Sequence, residues 1–158
     1  MNGSVINHIL STNTHTNKWY NGFSSPDIPL PNIKKYPSLV ILNTDTTDGP
    51  GEHWCVLIIY NRNKSEFFDS YGQSPSFYHF DKPIFEQVNN IQFNNVRVQG
   101  SYPTCGHHCL FFSILRAAGH SMKNILLNKY SNHLLNNDQL VYNFIKNSYG
   151  NLYAQFDV

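Results

Sequence analysis

Val98-Gln99-Gly100-Ser101-Tyr102-Pro103-Thr104-Cys105-Gly106-His107-His108-Cys109-Leu110-Phe111-Phe112 decides how the chain is read. It opens as a strand through the β-tolerant residues Val96, Arg97 and Val98, and breaks at Gly100 and Pro103. It then enters a helix whose apolar residues Leu110, Phe111, Ile114, Leu115 and Ala118 recur at helical spacing. Cys105 therefore falls at or just before the first helical turn. Free backbone N–H groups and the positive end of the helix dipole favour a thiolate there over a thiol. Gly106, with no Cβ, would let another chain approach the sulfur. A lone cysteine at a helix start is more commonly a small buried hydrophobe, so the remainder of the chain has to discriminate.

The 158 residues, 41% of them hydrophobic, suffice for one compact domain spanning 1–158. Charged residues make up only 13%, about half the usual share, so Asn, Ser, Thr and His must supply the polar surface. A net charge of +1 gives no electrostatic case for nucleic acid. Three cysteines, an odd number, argue against a disulfide framework and for a reducing compartment. Neither a signal-type apolar run nor a membrane-length stretch is present. A soluble intracellular monomer is expected.

In chain order, Ser4 is positioned to cap a short helix carrying Val5, Ile6, Ile9 and Leu10. A polar loop with Trp19, Tyr20 and Phe23 leads to a Pro-punctuated extended run from Pro26 to Pro37. Ser38 to Asn43 reads as a buried strand. His53 to Tyr60, nearly continuous in apolar residues, reads as a strand covered on both faces, paired through a turn at Asn61–Lys64 with a strand from Ser65 to Ser70. A helix is expected from about Asp81 to Phe93, a strand over Asn95–Gln99, then the helix after Cys105. Two further helices follow, one capped by Ser121 and one preceded by Asn136-Asn137-Asp138. This order predicts an α+β domain with a small, mostly antiparallel sheet packed against helices, the nucleophile candidate sitting at the N-terminus of a central helix.

A thiolate nucleophile needs a base in hydrogen-bond reach, and the base needs an orienting partner. His53 opens the long strand and Asp69 ends its hairpin partner, so both reach the same sheet edge. With eight histidines in the chain, an ordinary surface hydrogen bond is the competing reading. Gln99, six residues before Cys105, can donate to an oxyanion together with the Cys105 N–H. Alone it reads as a common strand-end glutamine.

Taken in order, Gly51-Glu52-His53-Trp54, Phe68-Asp69-Ser70-Tyr71-Gly72, Val98-Gln99-Gly100 and Thr104-Cys105-Gly106 with Cys109 resemble the adenovirus protease (adenain) family. That family lies in a superfamily shared with SUMO-specific proteases. The likeness covers roughly residues 38 to 115. It implies an adenain-like fold and a cysteine endopeptidase that cleaves capsid or other virion precursors at Gly-containing sites. By the same resemblance Cys105 is the nucleophile, His53 the general base, Asp69 its orienting acid and Gln99 an oxyanion-hole donor. Trp54, Gly51 and Gly106 would border the substrate. The implied source is a virophage, an adeno-like virus or a related mobile element, with action inside the host cell and packaging in the virion. The family also implies activation by a peptide and by DNA. Near-neutral charge argues against the DNA, and the cysteine that captures the peptide has no counterpart here. No cofactor or metal is expected.

Three other readings compete. An isopeptidase removing ubiquitin-like modifiers would share the site but need a broad docking surface. A non-catalytic binding module would not need the four residues intact. A metal site is the third, because Cys105, His108 and Cys109 fall at i, i+3 and i+4, and His53 can serve as a fourth ligand. His107 and His108 otherwise read as one solvated and one packed first-turn residue.

Overall fold

The computed structural model describes residues 1–49, 53–80 and 88–156. Within these, the elements are α1 (Gly3–Thr12), β1 (Tyr20–Ser24), β2 (Ser38–Asn43), β3 (Trp54–Asn61), β4 (Lys64–Phe68), β5 (Ile91–Phe93), α2 (Cys105–Ala117), a short α3 (Met122–Asn124) running into a π-helical turn (Ile125–Lys129), and α4 (Leu134–Phe156). The five strands form one sheet in sequence order. The fold is α+β. Its sheet is mixed: the long central pairings β2–β3 and β3–β4 are antiparallel, and the outer pairings β1–β2 and β4–β5 are parallel.

The apolar run of β3 is buried on both sides because its residues alternate between two cores. Val56 and Ile58 join α1, α2 and α4 in the larger core, while Cys55, Leu57 and Ile59 pack with Phe67, Phe80 and Val88 on the other face. The α2 helix is buried almost all round from Gly106 to Ile114, with Phe112 stacked on Phe68 of β4 at 4.3 Å between ring centroids. A helix enclosed to this degree is a rigid seat for whatever its first residue carries.

Several elements differ from the sequence expectation. The expected polar loop around Tyr20 and Phe23 contains β1, which gains its partner from the buried edge of β2. Asn2, not Ser4, caps α1, its side chain accepting from the Val5 N–H at 3.0 Å. Of the helix expected over 81–93, residues 81–87 lie outside the described residues, and Ile91–Phe93 form β5 along β4. Asn95–Gln99 is not a strand. The chain turns at positive φ at Asn90 and Asn95, and the Val98 and Gln99 N–H groups both donate to the Ser70 carbonyl, at 2.9 and 3.0 Å. Asn136-Asn137-Asp138 does not precede the last helix but lies inside α4, which begins at Leu134. Both His107 and His108 are buried, so neither is solvated.

A partly buried ion pair ties α2 to the sheet. Arg116 donates to both Glu66 oxygens, at 2.8 and 3.1 Å, and Tyr60 Oη donates to the same carboxylate at 2.7 Å. Truncating one member of such a pair strands the other charge. Arg116→Met is expected to lower stability by about 3 kcal/mol, read as a reduced urea midpoint with an unchanged slope.

Candidate active site

The hairpin register places two of the expected site residues. Val56 pairs with Phe68, so one step further out Cys55 faces Asp69, and His53 lies diagonally across on the same edge. His53 Nε2 is 2.6 Å from Asp69 Oδ1, and both side chains are buried. With Nε2 engaged, Nδ1 is the imidazole's other titratable atom. The Cys105 thiol, in the first turn of α2, hydrogen-bonds to His53. Cys105, His53 and Asp69, spread over about a third of the chain, thus form one chain of contacts. Of the three cysteines, Cys55 and Cys109 are buried and Cys105 is partly exposed.

Burial alone would disfavour charge at each of these groups, but their mutual contacts outweigh it. Burial pushes the His53 imidazolium toward deprotonation, yet the hydrogen bonds to Asp69 and Cys105 raise its pKa to about 9. Burial likewise pushes the Cys105 thiol up, and the His53 contact brings it below the ordinary thiol value. Asp69 is also held below its ordinary value against burial, by His53 and then by the Gln73 and Tyr71 N–H groups. The contacts shift the Cys105–His53 pair toward thiolate and imidazolium and hold Asp69 toward its carboxylate form.

Asp69 is heavily anchored. Tyr71 N–H donates to Oδ1 at 3.1 Å, while Gln73 N–H and Tyr78 Oη donate to Oδ2 at 2.9 Å each. Asn94 clamps the Asp69 backbone, accepting from its N–H at 2.9 Å and donating to its carbonyl at 2.6 Å. The His53 ring stacks on Tyr71 at 4.7 Å and meets Tyr78 at 5.6 Å. Rotation of the imidazole is therefore blocked. The loops carrying Asp69 and Gln99 touch at Gly72 (φ +76°), where an added Cβ would lie 2.6 Å from the Val96 carbonyl carbon.

Gln99 is buried and fully hydrogen-bonded. Its Oε1 accepts from Ser70 Oγ at 2.5 Å, and its Nε2 donates to the Tyr102 carbonyl at 2.8 Å and to Tyr71 Oη at 3.3 Å. Tyr71 thus contacts both the imidazole and the amide. Trp54 donates from Nε1 to the Met1 carbonyl at 3.2 Å, meets Phe23 edge-on, and borders a cleft of about 430 Å³ with Ile28, Asn43 and Gly49. Gly106 does not leave an open approach to the sulfur. A Cβ there would sit 3.1 Å from Met1 Cβ and 3.3 Å from Ile6 Cδ1, so this chain's own N-terminal segment fills the space. Gly51 lies outside the described residues.

The expected alternative metal face is not assembled. His108 contacts Tyr130 Oη through Nδ1 at 3.0 Å and Asp138 through Nε2 at 3.1 Å, and Cys109 donates from Sγ to the Trp54 carbonyl at 3.1 Å. Among the described residues, the ligand-type atoms that converge are those of His53, Cys55 and Asp69, within 4.8 Å of one another. Burial pushes the Cys55 thiol well up, with further push from the Asp69 charge, so it stays protonated beside a carboxylate already bonded to His53. That donor set suits proton sharing better than cation binding.

Tyr78, Asn94 and Asp138 carry no local motif. For Asp138 a signal did exist: with Asn137 it occupies the stripe of α4 continued by Val141 and Ile145, all buried. A carboxylate on the apolar stripe of a helix must find donors inside the fold.

No family model matches the chain. Over 84 residues the chain is 31% identical to a cysteine protease of African swine fever virus, an alignment covering 46% of this chain and 31% of the relative. Most of that relative's length therefore lies beyond the match. A crystal structure of the selenomethionine-labelled protease of the same virus superposes with a TM-score of 0.44 at 23% identity, covering 67% of this chain and 42% of the other. No described helix is long and apolar enough to cross a membrane.

Proposed function

We propose that the protein is a viral cysteine endopeptidase that cuts capsid or other virion precursors at Gly-containing sites inside the host cell. The observation that carries this reading is the convergence of a partly exposed thiol and a buried carboxylate on one imidazole, with His53 Nε2 2.6 Å from Asp69 Oδ1 and Cys105 in contact with the same ring. Similarity to a viral cysteine protease supports the reaction class.

In the proposed reaction the Cys105 thiolate attacks the scissile carbonyl carbon and the C=O electron pair moves onto oxygen. The Cys105 N–H, which has no intrahelical acceptor at that helix position, and Gln99 Nε2 hold the oxyanion. The Nε2 hydrogen facing Tyr71 Oη is the one given up, because its bond is the longer of the two. When the oxyanion collapses, the C–N bond breaks and the His53 imidazolium protonates the departing amine. His53 then takes a proton from water, the resulting hydroxide attacks the thioester, and the acid product leaves as the sulfur is released. Asp69 holds the ring and its positive charge throughout.

The test is kcat/KM against pH on a Gly-containing peptide from a co-encoded capsid protein. Activity should rise as Cys105 deprotonates at a pH below its ordinary thiol value and fall around pH 9 as His53 loses its proton. Activity still climbing above pH 9 would mean that a neutral thiol, not an ion pair, is the resting state. Cleavage of a Gly-Gly-terminated modifier alone, with capsid protein untouched, would overturn the substrate assignment.

A further inference from the structure

Asp138 lies far from the hairpin, on α4, and no motif assigns it a role, yet its carboxylate is 1% exposed and gathers four donors from the segment before and after Cys105. Oδ1 accepts from the Gly100 N–H at 3.0 Å, Thr104 Oγ1 at 2.9 Å and His108 Nε2 at 3.1 Å, and Oδ2 accepts from the Tyr102 N–H at 3.2 Å. Tyr102 thus directs the N–H of its preceding peptide at Asp138 and the carbonyl of its following peptide at Gln99 Nε2, 2.8 Å away, and the Thr104 N–H donates to that same carbonyl at 2.8 Å. Gly100 permits this approach, since a Cβ there would lie 2.7 Å from Asp138 Oδ2. On the other side Arg97 donates to the Gln99 and Gly100 carbonyls at 2.8 and 3.1 Å.

From this geometry we infer that Asp138 is a positioning residue for the oxyanion hole: it anchors Tyr102 by its N–H and Thr104 by its hydroxyl, and these two residues bracket the Tyr102 carbonyl, which in turn sets where the Gln99 amide points. The inference rests on the cysteine-protease reading for its consequence in catalysis, but not for the contact chain itself. His108 completes the arrangement from below. Held between Tyr130 Oη and Asp138, and kept neutral by burial, it gives Asp138 its Nε2 proton without competing for the charge. A carboxylate with four donors cannot rotate, and an amide in its place must turn an NH₂ toward at least one of them.

Asp138→Asn tests this, because it keeps the shape of the side chain. The Gln99 side-chain NH₂ resonances, identified by their loss in Gln99→Ala, should exchange with solvent at least about ten times faster in Asp138→Asn. Unchanged exchange would overturn the inference whether or not the protein is a protease. For peptide hydrolysis, kcat should fall about 10²-fold with KM nearly unchanged. Alkylation of Cys105 by iodoacetamide, which forms no oxyanion, should keep its rate and pH profile. In a Gln99→Ala background the Asp138→Asn change should cost little more, because both act on one donor. Full additivity, or an equal loss of alkylation, would make Asp138 merely structural. Thr104→Val, which removes a single donor, should give a smaller loss with the same non-additivity, and it decides the question if Asp138→Asn does not fold. Wild-type protein that hydrolyses no peptide would sink the protease reading and leave the exchange result to stand by itself.

Discussion

Cys105→Ala is expected to lower peptide hydrolysis by about 10⁶-fold while leaving the fold and melting temperature close to wild type. The size of the loss follows from what remains. Without the sulfur there is no covalent intermediate, and His53 faces an alanine methyl with no proton to exchange. Oxyanion donors and substrate contacts alone leave only a residual rate. The fold should tolerate the change because the Cys105 side chain is partly exposed, while the neighbours of α2 are held by Phe111, Phe112 and Ile114 in the core. Cys109, one turn along the helix, cannot substitute: it is buried, its sulfur bonds the Trp54 carbonyl, and burial pushes its pKa well up. Residual hydrolysis above about 10⁻³ of wild type, measured on protein free of wild-type contamination, would show that the sulfur is not the nucleophile.

Asp69→Asn is expected to cost up to about 10⁴-fold in kcat and to move the alkaline limb of the pH profile to lower pH. Every partner of the Asp69 carboxylate is a donor: His53 and the Tyr71 N–H on one oxygen, the Gln73 N–H and Tyr78 Oη on the other. An asparagine must aim its NH₂ at one of these pairs. Facing His53, the NH₂ forces the imidazole to accept at Nε2 and carry its proton toward the sulfur, the wrong tautomer for a base. Facing Gln73, it leaves a backbone N–H against another donor. In either orientation the negative charge that holds the His53 pKa near 9 is gone. Loss of that charge must bring the descending limb down from about 9. A variant with reduced rate but an unmoved limb would assign Asp69 to packing instead.

Much of the scaffold was legible because it is local. The β3 run is hydrophobic enough to demand cover on both faces, and Asn61-Arg62-Asn63-Lys64 closes the hairpin, so His53 and Asp69 reach one edge by register alone. The position of Cys105 in the first turn of α2 follows from Gly100 and Pro103 before it and the apolar stripe after it. What stayed hidden depends on tertiary partners. β1 is made of residues with weak strand signals and exists because β2 offers it an edge. The Asn95–Gln99 segment has strand-forming residues, but its Val98 and Gln99 N–H groups are both taken by a single carbonyl, that of Ser70, so it cannot run on as a ladder. Asp138 looked like a helix-entry residue because carboxylates favour helix starts. Its donors come from residues 100 to 108, and no spacing rule connects those to α4. Gln99 could be singled out by its distance from Cys105, whereas its bonds to Tyr102 and Tyr71 emerge only once three loops meet.

The near-contact of main chains at Gly72 and Val96 limits how this scaffold can be remodelled. Two stretches that meet without an intervening side chain behave as one piece, so lengthening either between its anchor points would shear the carboxylate away from the amide. Diversification toward new cargo should therefore be confined to segments outside that seam, such as the Asp45–Gly49 rim facing Trp54. Insertions screened across the gene would be tolerated there and purged between residues 70 and 74.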